Sequence, residues 1–136
     1  LKGGNAYDAR RQAAVQIGSD VGGTAMAAVS AVIGRRAQLI VPIGLEKRVF
    51  GDVSELALLC NAPEGKGPGL LPLPGTIFTE IDAIEVLTGA KATMIAAGGV
   101  YGAEGSSWLV IDGTQTEIDS AASLIESVAD EPPCEA

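Results

Sequence analysis

The 136-residue sequence is 47% hydrophobic but only 4% aromatic, so its core must be built from Ala, Val, Ile and Leu, with no metal or disulfide needed to hold it. A formal net charge of −8 excludes broad affinity for nucleic-acid backbones, which need a cationic surface. No apolar run reaches the ~20 residues that span a bilayer, and the absence of histidine removes the usual general base and every Ser-His or Cys-His nucleophile pair.

In chain order, residues 12–17 read as a short strand ended by Gly18. Thr24 is placed as N-cap of a helix over Ala25–Ile33, which Gly34 terminates. That helix has Ser30 as its only polar side chain, so it is expected to be covered all round. Leu39–Ile43 reads as a strand in which Pro42 marks an edge, bulge or end. Asp52-Val-Ser-Glu55 has capping-box spacing and opens a short helix through Leu59. Residues 61–75, with four prolines and four glycines, are expected to form no regular element, only a packed loop or flap.

Thr79 then caps a helix over Glu80–Thr88, with Ile81, Ile84 and Leu87 on one face and Gly89 as its stop. Residues 92–97 read as a strand, 98–106 as a glycine-rich connection and 107–112 as a strand apolar on both faces, hence central and covered on both sides. Thr114 and Glu117 form a second capping box, opening a helix over about 115–129 whose buried stripe is Ile118, Ala121, Ala122, Ile125 and Val128. Residues 130–136 are expected to be a disordered tail.

A weak repeat at a spacing of 55 residues matches Thr24 with Thr79, Gly34 with Gly89 and Gly44 with Gly99. The expected architecture is therefore one α/β (α+β) domain over 1–136, a two-layer ferredoxin-like sandwich on a mixed sheet. Two strand-helix-strand-strand-helix halves, at about 12–60 and 70–129, would build it. Cys60 is expected in the core and Cys134 in the tail, so neither a disulfide nor a zinc site is indicated, and a cytoplasmic setting fits. Opening on Leu1, without Met, the chain reads as a fragment or processed product.

Charge is split along the sequence. Residues 1–48 carry seven Lys/Arg against three Asp/Glu, whereas residues 49–136 carry two against fourteen. The basic part holds the glycine turns Lys2-Gly-Gly4-Asn5 and Gly18–Thr24, the second leading into a helix start where free N–H groups suit an anion. Neither turn has P-loop or dinucleotide-fold spacing. The ligand-binding candidates are Lys2, Gly4, Asn5, Gly22, Gly23 and Thr24, joined by Tyr101 and Glu104 of the 98–106 connection. Glu46 and Lys47, directly after a strand, are the catalytic candidates. No metal ligands and no particular cofactor are indicated.

The string Lys2-Gly-Gly-Asn-Ala6, Gly22-Gly-Thr24, Pro42-Ile-Gly-Leu-Glu-Lys47, Leu73-Pro-Gly75 with Thr79-Glu80, and Gly98-Gly-Val100 with Gly102 and Glu104-Gly105 resembles a conserved prokaryotic family of unknown function. The resemblance spans nearly the whole chain and implies residues ahead of Leu1 and convergence of these turns with Glu46-Lys47; it carries no activity. Two readings follow. In the preferred one, a small phosphate- or carboxylate-bearing molecule binds at the glycine turns, with or without catalysis. In the alternative, the chain is a non-catalytic, homo-oligomeric structural or regulatory module. Neither involves nucleic acid or membrane.

Overall fold

The computed structural model describes residues 1–132. It is a mixed α/β (α+β) structure of two compact units, Leu1–Thr79 and Glu80–Ala136. Among the described residues there are four α-helices and three small sheets, and no ferredoxin-like arrangement is seen.

The first unit contains β1 (Ala6–Tyr7), β2 (Ala13–Ile17), α1 (Gly23–Arg35), β3 (Ile40–Pro42), a short 3-10 turn (Leu45–Lys47), α2 (Val53–Cys60), β4 (Gly69–Leu73) and β5 (Thr76–Phe78). One antiparallel sheet has the order β1-β2-β4, with Tyr7 opposite Ala13 and Val15 opposite Leu71. The second sheet is a parallel pair, β3-β5, with Val41 opposite Ile77. The N-terminal segment ties the two sheets together. The Lys2 N–H donates to Ile40 O (3.1 Å) and the Asn5 N–H to Ala14 O (2.8 Å).

The proline-rich segment 61–75 does contain a strand, β4, contrary to expectation. The Asn61 side chain makes it possible by imitating a neighbouring strand: Asn61 Nδ2 donates to Leu70 O (2.8 Å) and Leu70 N–H donates to Asn61 Oδ1 (2.9 Å). Pro72 is harmless there. It lies opposite Ala14, whose carbonyl points to the other side of β2 to accept from Asn5, so the missing N–H removes no ladder bond. Ala14, Val53, Ala57 and Leu70 form a core cluster with Val49 and Leu56 packed against it.

Helix α2 begins as expected, with the Asp52 side chain accepting from the Ser54 and Glu55 N–H groups. It buries Val53 and Ala57, four residues apart, and turns Leu58, Leu59 and Cys60 to solvent. Cys60 is thus exposed rather than in the core, and Cys134 lies outside the described residues. Helix α1 also differs from expectation. Gly22, in the left-handed conformation, is its N-cap, no side chain caps it, and Thr24 is its second residue. It passes through Gly34 and ends with Arg36 left-handed. Only Ala25 of this helix is buried.

The second unit contains α3 (Glu80–Thr88), β6 (Lys91–Ala97), β7 (Ser107–Asp112) and α4 (Gln115–Val128). Strands β6 and β7 form a two-stranded antiparallel sheet with Thr93 opposite Val110 and an irregularity between Met94 and Ala96. Ile84, Ala90 and Ala121 form the core, with Ala92, Leu109 and Ile111 packed against it. The helices therefore cover one face of the sheet only. Trp108 and Val110 of the other face are exposed, so β7 is not a central, doubly covered strand. Leu87 of α3 and Ala122, Ile125 and Val128 of α4 are likewise exposed rather than part of a buried stripe. Of the expected tail, residues 133–136 lie outside the described residues; in the rest, Glu131 N–H donates to Val128 O (3.3 Å).

The second capping box is present in full. Thr114 Oγ1 accepts from Glu117 N–H (3.4 Å), while Glu117 Oε2 accepts from Thr114 N–H (2.7 Å) and Oγ1 (2.8 Å). The Thr114 backbone N–H, then its hydroxyl, hold the Glu117 carboxyl below its ordinary pKa. Thr114→Ala is expected to cost about 1 kcal/mol and to lower the midpoint of thermal unfolding by roughly 3–5 °C. An unchanged midpoint would show that the box contributes nothing to α4.

Candidate functional site

Each of the sequence candidates is placed by its own local structure. Gly4 is buried between β2 and β3, where a Cβ would stand 2.9 Å from Ile43 Cδ1 and 3.1 Å from Ala14 O. Its role is close packing of backbone. Asn5 is committed to its neighbours, with Oδ1 accepting from the Gln16 N–H (2.9 Å). Lys2 lies beside β3, its Nζ donating to Gly3 O (3.4 Å).

Gly22, Gly23 and Thr24 form the start of α1, with the Gly22 N–H donating to Ser19 O (2.9 Å). Gly22 has φ +74 and the Met26 side chain lies where its Cβ would stand, so the left-handed turn and the close approach both require glycine. Lys47 Nζ and Glu46 Oε1 form a half-exposed pair at 3.8 Å, and the Glu46 carboxylate folds back over Gly44. Tyr101, left-handed and fully exposed, and exposed Glu104 belong to the other unit.

A cavity of ligand size in the first unit lies elsewhere, at the ends of its two sheets. It is a cleft of about 810 Å³ with Arg11, Gln12 and Ala13 on one wall, Ala37–Ile40 on another and Pro72–Thr76 on a third, with Ser54 contributing from α2. None of the sequence candidates lines it. Its residues come from the link between β1 and β2 with the start of β2, from the stretch after α1 with the start of β3, and from the end of the proline-rich segment, with Ser54 from α2.

The link between β1 and β2 is built around one carboxylate. Asp8 Oδ1 accepts from the Arg10 N–H (2.8 Å) and the Gln12 N–H (3.0 Å), and Oδ2 from the Val53 N–H (2.9 Å). The Asp8 N–H donates to Gln12 O (3.0 Å) and the Arg11 N–H to Asp8 O (3.1 Å). This closed turn forces Arg11 to φ +59, a conformation that side chains other than glycine rarely adopt. Such strain costs on the order of 1 kcal/mol and is concentrated at functional positions in proteins generally. The Arg11 guanidinium reaches across to donate from Nη2 to Ile77 O (2.9 Å).

Beside it, Ser54 Oγ donates to Gln12 Oε1 (3.2 Å). That bond leaves the Gln12 amide nitrogen as the donor end of the side chain. Gln38 and Thr76 add an amide and a hydroxyl. Among the described residues, Arg11 is the only charged one in the lining, and no Asp or Glu contributes to it. Leu39, Ile40, Pro72, Leu73 and Pro74 make the remaining walls apolar. An open cleft with one cation, several neutral donors and no carboxylate among the described residues favours a ligand with an apolar body and a negative end.

A smaller cavity of about 400 Å³ lies by Cys60, Lys66 and Leu70. Among the described residues no group of acidic, Cys or His side chains is arranged to hold a metal, and no helix is long and apolar enough to cross a membrane. The chain matches no family model, no curated protein and no solved structure, so the cleft is read from its own chemistry.

Proposed function

We propose that this protein binds a small anionic molecule, carboxylate- or phosphate-bearing, in the cleft between Arg11 and the Pro72–Thr76 segment. One observation carries the reading: a cleft of ligand size whose only charged lining residue, among the described residues, is a cation held in a strained backbone conformation. Arg11 anchors the negative group through the planar donor fork of its guanidinium. Gln12, Gln38 and Thr76 supply hydrogen bonds, and the proline and leucine walls accept the apolar part. Two glycines support the site by close backbone approach, Gly4 by letting the N-terminal segment join the two sheets and Gly75, in the lining itself, by letting β3 and β5 meet. Glu46 and Lys47 are not among the lining residues, so the reading is one of binding.

Thermal-shift measurements against inorganic phosphate, nucleotides and a series of aliphatic and hydroxy carboxylates test it. A ligand at a hundred times its Kd stabilises by about 2.7 kcal/mol, which is readily measured. Arg11→Gln is expected to weaken binding at least tenfold, a loss of about 1.4 kcal/mol. The reading fails if none of these compounds stabilises the chain, or if Arg11→Gln responds as the unaltered protein does.

A further inference from the structure

Helix α1 exposes a continuous uncharged stripe at helical spacing, formed by Gly23, Met26, Ala27, Ser30, Ile33 and Gly34. Met26 is 45% and Ile33 73% exposed, which is unfavourable for an apolar face left in water. Charge returns only at the two ends. Asp20 precedes the helix, Arg35 and Arg36 close it, and no ionisable side chain lies between them. Among the described residues none of these three has an ion-pair partner in the chain.

We propose that a second copy of this chain docks on that stripe, with the two α1 helices antiparallel about a two-fold axis passing between Ala27 and Ser30. The end charges select the orientation. In the antiparallel arrangement Asp20 meets the partner's Arg35 and Arg36 at both ends of the seam, whereas a parallel one would place like charges together. The antiparallel arrangement also sets the two helix dipoles head to tail.

The same axis brings Gly23 opposite the partner's Gly34 and Ala27 opposite the partner's Ser30. With side chains this small the helix axes can approach to about 8 Å. Exposed ion pairs contribute little, about 0–1 kcal/mol each, so the apolar stripe supplies the association and the charges set its geometry. This interface does not depend on the anion cleft, whose lining includes no residue of α1.

Light scattering and sedimentation equilibrium on the full chain, up to on the order of 100 μM, test the proposal. A dimer is expected. Ala27→Glu changes an exposed position with little cost to the helix, and it should leave a folded monomer that still unfolds in one cooperative transition, at a midpoint lowered only by the lost association, because it sets two carboxylates at the seam. Asp20→Arg should weaken the dimer about tenfold, and adding Arg35→Asp and Arg36→Asp to it should restore the affinity by exchanging the signs. A monomer throughout that range, a dimer that survives Ala27→Glu, or a triple variant that fails to recover would each overturn the antiparallel seam. So would a monomer that sediments with lipid vesicles, which would assign the stripe to a membrane surface.

Discussion

Replacing Asp8 with Ala is expected to cost about 3 kcal/mol of stability, a large part of the 5–15 kcal/mol typical of a domain. The carboxylate is 3% exposed and joins two places in the fold, the β1–β2 link and the first residue of α2. Without it the N–H of Val53, a residue with no exposure, loses its acceptor in a dry environment. Leaving such a donor unpaired costs about 1–3 kcal/mol, and the negative charge at the start of α2 is lost as well. The Arg10–Asp52 ion pair (2.7 Å) beside it does not compensate, because Arg10 is largely in water.

The same group sets an acid dependence. Burial by itself would raise the Asp8 pKa, but the backbone N–H groups of Val53, Gln12 and Arg10, with the Arg10 charge, outweigh it and hold the carboxyl below its ordinary value. In the unfolded chain Asp8 titrates near ~3.9. Between that value and the lower folded one the unfolded state binds more protons, so stability falls as pH falls. The contribution is complete above the unfolded pKa and disappears once pH drops through the folded one. Urea unfolding at pH 7 and at steps below pH ~4 should therefore show the unaltered protein losing stability faster than Asp8→Asn. Parallel acid profiles, or an Asp8→Ala protein within about 0.5 kcal/mol of the original, would remove Asp8 from this central position.

Gly75→Ala is the second large effect, with an expected loss of about 2–3 kcal/mol. Its Cβ would stand 2.8 Å from Val41 Cγ2 and 2.9 Å from both Leu39 Cγ and Leu39 O. Leu39 O is backbone and already accepts from the Thr76 N–H (2.9 Å), the bond that starts the β3–β5 pairing. Relief of the contact must therefore move a strand that carries fully buried Val41. Gly75 also lines the cleft, so ligand affinity should fall together with stability. Gly67→Ala is the matched comparison, since nothing lies within 4 Å of the added carbon. There the reduced freedom of the unfolded chain should stabilise by about 0.4–1 kcal/mol. Equal denaturation midpoints for the two variants would show that the approach at Gly75 is not restrictive.

The local elements were legible wherever their determinants lie within a few residues. Asp52 and the Thr114–Glu117 pair are caps that need only their own turn, and both helices begin where the sequence places them. Gly89, with φ +80 and its N–H donating to Glu85 O (3.0 Å), ends α3 on the same local logic. Strand β4 was not legible, because the partner that makes it a strand is a side chain, Asn61, nine positions from Leu70. The start of α1 was misplaced by two residues because Thr24 has capping chemistry, while a left-handed Gly22 makes the turn without it.

The cleft escaped sequence reading for a related reason. Its single cation belongs to a five-residue link that Asp8 closes, and its far wall to a proline-rich segment that looks featureless in one dimension. Residue types and their short-range order by themselves determined an aliphatic core, the absence of histidine chemistry and the starts of the helices capped by Asp52 and Thr114. Tertiary structure decided that Gly4 and Gly75 sit at close backbone approaches, that α1 lies exposed, and that Arg11, Gln12, Ser54 and Thr76 line one cleft. Those outcomes depend on which distant backbones meet, and no local propensity encodes such a meeting.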